Sequence, residues 1–330
     1  MRNRFLRGGL SGLLLAGLWL PCAVAKSKEK KPVFKDEYIQ VSGLRMHCVT
    51  AGKGPLILFL HGFPEFWYEW KNQLAEFSKD HLAVAPDMRG YNQSDKPNDM
   101  EQYRMSYLVD DVLALANHFS HGKKFILVAH DWGGAVAWAF AIAHPEMLQK
   151  LVIVNAPHPG VFSRLLTSDP KQQQASQYML MFRSAQAEQM LSANNYTPLV
   201  NAVLGPGLKD GVFTEDDKQA YIKAWSEPGA LTGGLNYYRA NRVGPPAPGQ
   251  GGDERQTSTG SFGGDPSALT VKVPTLVIWG EKDTALLTGN LDGLDQFVPQ
   301  LTIKRIPEGT HWVIHEKPAE VNGYIREFIR

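Results

Sequence analysis

Cysteine is nearly missing from this chain: of 330 residues, only Cys22 and Cys48 carry a thiol. Removal of residues 1–25, argued below, would leave one cysteine and no possible intramolecular disulfide. The fold must then be held by burial alone, for which about 300 residues suffice. Charge of one sign is missing too. Lys and Arg total 34 against 33 Asp and Glu, and loss of Arg2, Arg4 and Arg7 leaves 34 minus 3 against 33. Such a near-neutral chain gives no reason to expect nucleic acid or an anionic membrane as partner. No apolar run reaches the roughly 20 residues that a membrane span needs. Metal-ligand spacings, a phosphate-binding glycine loop and nucleotide motifs do not occur, so no metal or other cofactor is expected. Internal repeats are absent as well.

What is there begins with a leader. Arg2, Arg4 and Arg7 precede an apolar stretch from Leu10 to Leu20, and Ala23-Val24-Ala25 follows. A basic start, a short apolar centre and a small-x-small end predict a signal peptide cleaved after Ala25. A periplasmic or secreted protein is expected, with no membrane partner after cleavage; an uncleaved anchor is the alternative. Trp19-Leu20-Pro21 before Cys22 does not fit a lipoprotein signal.

Two strands are predicted at Glu37 to Val41 and Leu44 to Thr50, joined by a tight turn at Ser42-Gly43. Runs that are apolar on successive residues follow at Leu56 to Leu60, Leu82 to Ala85, Phe125 to Ala129, Leu151 to Val154 and Leu276 to Trp279. Strands of that kind are buried on both faces. Helical patterns lie at Trp70 to Phe77, Tyr107 to Phe119 and Gly134 to His144. The alternation predicts an α/β fold with a mostly parallel central sheet flanked by helices. It stops after Asn155. Residues 158–243 show helical periods, and 244–266 hold seven Gly and four Pro in 23 residues. The expected organisation is a core over 26–157 and 266–330, with a helical lid inserted over 158–265.

The chemistry centres on Ala129-His130-Asp131-Trp132-Gly133, set between an apolar strand and a helix. Small-x-nucleophile-x-small at that junction is a nucleophile elbow, too tight for large neighbours. The central side chain is a carboxylate, not a serine. Attack on an acyl carbon would give an anhydride, of no use to an esterase. Attack on a saturated carbon gives an alkyl ester that water can cleave. An epoxide or a haloalkane fits.

In this architecture nucleophile, acid and histidine follow one another along the chain, each after a strand. Asp283 follows Leu276 to Trp279, with Glu281 as the weaker candidate. His311 follows the last strand, Leu301 to Ile306, while His315 enters a C-terminal helix expected over Glu316 to Arg330. His311 would take a proton from water, and Asp283 would orient the ring. The oxyanion needs two backbone donors. Trp132, after the nucleophile, offers one N–H, and Phe63 in His61-Gly62-Phe63-Pro64 offers the other.

Five motifs then carry a resemblance: HGFPE (61–65), PDMRGY (86–91), HDWGG (130–134), GEKD (280–283) and GTHW (309–312). Over roughly 33–330 the chain resembles α/β-hydrolase-fold epoxide hydrolases, which implies an eight-stranded sheet, a small-molecule epoxide and water as substrates, and hydrolysis to a diol. Two lid tyrosines of that family donate to the epoxide oxygen. Tyr178-Met179-Leu180-Met181-Phe182 matches the first segment, and Asn236-Tyr237-Tyr238-Arg239 the second, pointing to Tyr178 and Tyr238. Tyr237 replaces the more usual Trp, which leaves open which of the adjacent pair points inward. Asn92 stands where the family often has Gly, and Asn tolerates a left-handed backbone.

Two other functions compete. A haloalkane dehalogenase shares the aspartate and often the following Trp, but Phe63 lacks the side-chain amide many of them carry. A non-catalytic binding protein on the same scaffold would usually lack a triad member. Glu65, Asp87 and Arg89 read as structural.

Overall fold

The computed structural model describes residues 32–246 and 266–330. The leader, its cleavage point and most of the Gly/Pro-rich stretch lie outside these residues, as does the C-terminal end of the expected lid.

Eight strands form one sheet: β1 (Lys35–Val41), β2 (Leu44–Gly52), β3 (Leu56–Leu60), β4 (Leu82–Pro86), β5 (Phe125–His130), β6 (Leu148–Val154), β7 (Thr275–Gly280) and β8 (Leu301–Ile306). Their spatial order is β1-β2-β4-β3-β5-β6-β7-β8. β2 runs antiparallel to β1 and β4, and the other pairings are parallel. Ser42 and Gly43 both take positive φ, 49° and 82°, as a two-residue hairpin turn requires.

The helices in chain order are α1 (Lys71–Phe77), α2 (Met105–Ser120), α3 (Asp131–Ala143), α4 (Pro159–Ser168), α5 (Pro170–Ala175), α6 (Tyr178–Arg183), α7 (Ala187–Leu199), α8 (Gly205–Lys209), α9 (Glu215–Ser226), α10 (Ala230–Ala240), α11 (Val313–Glu316) and α12 (Pro318–Ile329). Because strand side chains alternate, β3 splits its apolar run between two cores. Ile57 and Phe59 pack with Leu74 of α1 and Val321 of α12. Leu58 and Leu60 join Val112 of α2 and Val136 of α3 on the other face.

Between β6 and β7 the described residues hold α4 to α10 and no strand. This helical insertion is fastened to the core by polar contacts. Trp225 Nε1 donates to Pro64 O at 2.6 Å, and Asp217, which closes a capping box with Thr214, also accepts from Tyr68 Oη at 2.8 Å. Three helix bounds differ from expectation. The helix expected from Trp70 begins as a 3-10 turn over Trp67–Trp70, and α3 starts at Asp131 itself. The C-terminal helix is two pieces, because Pro318 has no N–H to continue α11 and instead opens α12.

Candidate active site

β5 delivers Asp131 to the C-terminal edge of the sheet, and α3 leaves from the same residue. Asp131 takes φ 47°, a left-handed conformation that costs energy for any residue bearing a Cβ. Two glycines make room for it. A Cβ on Gly62 would lie 2.4 Å from Asp131 Cβ, and one on Gly133 would lie 2.3 Å from Leu60 O. The carboxylate is thereby divided between two surroundings. Phe63 N–H donates to Oδ1 at 2.8 Å, while Oδ2 lies 3.7 Å from His311 Nε2. Trp132 N–H, the second expected donor, follows the nucleophile directly in the first turn of α3.

Asp283 follows β7 and is fixed from three sides. Its Oδ1 accepts from Ala285 N at 2.8 Å and Leu286 N at 2.9 Å, and its Oδ2 accepts from Asn155 Nδ2 at 2.8 Å. His311 Nδ1 reaches the same Oδ2 at 2.7 Å. Burial would raise the Asp283 pKa, but His311 and these donors hold it below its ordinary value. For His311, burial opposes protonation, yet the carboxylates of Asp283 and then Asp131 outweigh it and raise the pKa to about 9. Glu281 does not join this group; it pairs with Arg305 at 2.9 Å. Asn155, not singled out from sequence as a site residue, directly follows β6 and also accepts from Gly280 N at 2.8 Å, tying the acid's loop to the sheet.

Above the carboxylate, Tyr238 sits among Trp132 (ring centroids 5.1 Å), Phe182 (5.1 Å) and Phe63 (5.6 Å). Tyr178 packs on Phe182 at 5.2 Å. Tyr178 is partly exposed as a residue, but its hydroxyl end is enclosed. Burial and then the Asp131 charge push both hydroxyls well above the ordinary tyrosine value, so both stay protonated donors. Tyr237 turns away: its hydroxyl donates to Arg89 O at 2.8 Å and its ring meets Tyr91 and Tyr103. Of the adjacent pair, the Tyr237 hydroxyl is thus taken up by the backbone at Arg89, while Tyr238 packs on Phe63 and Trp132, the residues that flank the Asp131 carboxylate.

Beneath the nucleophile lies a buried polar group that the sequence did not announce as a unit. Glu65 accepts from Tyr221 Oη at 2.5 Å and faces His315 Nε2 at 3.2 Å. Glu69 Oε1 lies 2.5 Å from His130 Nδ1. Glu65, Glu69 and His315 offer atoms within 4.8 Å of one another, close enough for a cation. Those atoms already engage each other or their neighbours, so no metal is assigned to them. Asp87 and Arg89 act as the sequence reading expects. Asp87 accepts from His47, Trp67 N and Asn92, and Arg89 makes a two-pronged pair with Asp111 at 2.7 and 2.6 Å. Asn92 has φ 38°.

Known proteins can now be set beside this geometry. Residues 55–318 match the α/β-hydrolase fold family. The chain is 39% identical over 302 residues to AB hydrolase superfamily protein YfhM of Bacillus subtilis, covering 90% of this chain and 98% of that protein. It is 36% identical over 307 residues to epoxide hydrolase 4 of Mus musculus, covering 88% of this chain and 78% of that protein. Among solved structures, the Bacillus megaterium epoxide hydrolase in complex with an inhibitor superposes with a TM-score of 0.81 at 37% identity, covering 89% of this chain and 99% of that one.

Proposed function

The chain belongs to the α/β-hydrolase fold family and is a hydrolase, and from that premise we propose that it opens epoxides to vicinal diols through an alkyl ester on Asp131. One observation carries the reading: the two oxygens of Asp131 have different neighbours, and both face a site roofed by protonated tyrosines. Oδ2 is the attacking atom. As its bond to the epoxide carbon forms and the ring C–O bond breaks, Tyr178 and Tyr238 donate to the departing oxygen and one proton passes to it. Oδ1 then becomes the ester carbonyl oxygen, already 2.8 Å from Phe63 N–H. Water loses a proton to His311 Nε2 and attacks the Asp131 carboxyl carbon. The negative charge gathers on Oδ1, where Phe63 and Trp132 N–H groups stabilise it. Collapse breaks the ester C–O bond, and the proton on the newly bound oxygen passes to the departing alkoxide to give the diol and the Asp131 carboxylate. The proton taken by His311 returns to the tyrosine that gave one up in the first step.

The dehalogenase alternative needs N–H donors free to hold a halide. Trp132 supplies the indole such a site would use, but Phe63 brings only its backbone N–H, already given to Asp131 Oδ1. We further infer that the enzyme is exported after cleavage of the leader, on the strength of its charge and apolar pattern.

The test compares a panel of terminal, styrene-type and fatty-acid epoxides with 1-chloroalkanes. Diol without chloride is expected. With His311→Gln, mass spectrometry should find the substrate attached to the peptide carrying Asp131. Chloride release without diol, or a reproducible adduct elsewhere with Asp131 unmodified, would refute the proposal.

A further inference from the structure

Glu69 is fully buried beneath the nucleophile, on the 3-10 turn that follows the Phe63 loop. Its Oε2 accepts from Gly62 N–H at 3.3 Å, one peptide before the donor that holds Asp131 Oδ1. Its Oε1 lies 2.5 Å from Nδ1 of His130, the residue before the nucleophile. The other ring nitrogen, His130 Nε2, lies 3.0 Å from the backbone carbonyl of His311. Three loops that bear the oxyanion donor, the nucleophile and the base therefore meet at one carboxyl–imidazole pair.

The position of the pair's proton follows from chemistry. A carbonyl oxygen only accepts, so His130 Nε2 carries its hydrogen, and Nδ1 of a neutral ring is then an acceptor. Two lone pairs would repel at 2.5 Å, so one of the pair must carry a proton, although the contact is not aligned as a hydrogen bond. Neither atom has another hydrogen-bond partner among the described residues. The charges nearby decide which side holds it. An ionised Glu69 would face Glu65, already paired with His315, and Asp131. Burial and then Glu65 push the Glu69 pKa well up, while burial and then His311 hold His130 down to about 3. Both point to a neutral acid beside a neutral imidazole.

We propose that Glu69, as the neutral acid, is a positioning residue that ties the oxyanion loop and the base loop to the nucleophile strand and so serves the hydrolytic half-reaction. The proposal rests on the two-step reading above. Alkylation needs Asp131 Oδ2 and the tyrosine donors, none of which Glu69 holds. Hydrolysis needs the Phe63 N–H on the oxyanion and His311 Nε2 on the water, and Glu69 reaches the first loop at Gly62 N and the second through His130.

The experiment is a single-turnover comparison of wild type, Glu69→Ala and Glu69→Gln. Gln keeps one donor for His130 Nδ1 and one acceptor for Gly62 N–H, as the neutral acid does. Ala should slow decay of the alkyl-enzyme by at least about tenfold while alkylation stays within about threefold, so that the ester accumulates. Gln should restore decay to within about threefold of wild type. An infrared difference spectrum of wild type minus Glu69→Gln, taken without substrate, should show the carbonyl band of a protonated carboxylic acid. A missing band, a Gln variant that is unfolded or as slow as Ala, or equal slowing of both half-reactions by Ala would overturn the proposal. The infrared result does not depend on the substrate. Failure of the epoxide reading would appear separately, as wild type without alkylation.

Discussion

Replacing Asp131 by Asn removes a charge without changing the shape of the side chain, and so reproduces the electrostatics of the alkylated enzyme. In the free enzyme Asp131 Oδ2 lies 3.7 Å from His311 Nε2. One unit charge at that distance is worth about 1 kcal/mol in a water-like medium and about 4.5 kcal/mol at an effective dielectric constant of ~20. At ~1.4 kcal/mol per pH unit this is about 1 to 3 units. His311 stands at about 9 with both carboxylates charged, so in Asp131→Asn it should fall to roughly 6 to 8. The direction matters for catalysis. His311 must be neutral to take a proton from water, and an imidazolium beside a charged Asp131 cannot do so. Alkylation cancels that charge, so the base becomes available in the step that needs it. NMR titration of the His311 ring in wild type and in Asp131→Asn measures the shift directly. The single-turnover rate of ester hydrolysis should rise with pH through the lower value and level off above it. A His311 that still titrates near 9 in the variant, with hydrolysis following the same midpoint, would refute the reasoning.

Three further outcomes are expected. Tyr178→Phe and Tyr238→Phe should each slow alkylation by about a hundred- to thousandfold, a loss of roughly 2 to 4 kcal/mol, and the double variant should lose almost all of it in single-turnover measurements. Gly133→Ala would place a Cβ 2.3 Å from Leu60 O, so thermal unfolding should show a loss of at least about 1 to 3 kcal/mol together with lost activity. N-terminal sequencing of exported protein should begin at Lys26, and intact Met1 in a membrane fraction would favour an anchor.

The sheet was legible because burial on both faces leaves its mark on every residue of a strand. All five residues of β3 and all six of β5 and β7 are buried, and in sequence Leu56 to Leu60, Phe125 to Ala129 and Leu276 to Trp279 read as unbroken apolar runs. The triad was legible for a related reason. Its members occupy strand ends in a fixed chain order, so finding the strands narrowed the choice to Asp283 over Glu281 and His311 over His315. The inward tyrosine was not legible. Adjacent residues of a helix point about 100° apart, and which one faces Asp131 depends on how α10 docks, here through Tyr237 on Arg89 O. The split of the C-terminal helix follows from Pro318, which opens α12 at its first position two residues after α11 ends at Glu316.

The polar group beneath the nucleophile shows where pattern reading ends. Glu65, Glu69, His130, Tyr221 and His315 come from four separate stretches of chain, and none stands in a local spacing that implies the others. Each alone reads as a polar residue in a turn, in a helix or, for His130, at a strand end. Their protons are correlated only because the fold strips them of water together: Glu65 keeps its charge beside His315, and Glu69 gives its charge up. A motif can name the residues that touch substrate, because their chemistry demands particular side chains at particular strand ends. The residues that hold those side chains in register answer to three-dimensional neighbours instead. That is why Glu69, unmarked in the sequence, can bear on a reaction whose atoms it does not touch.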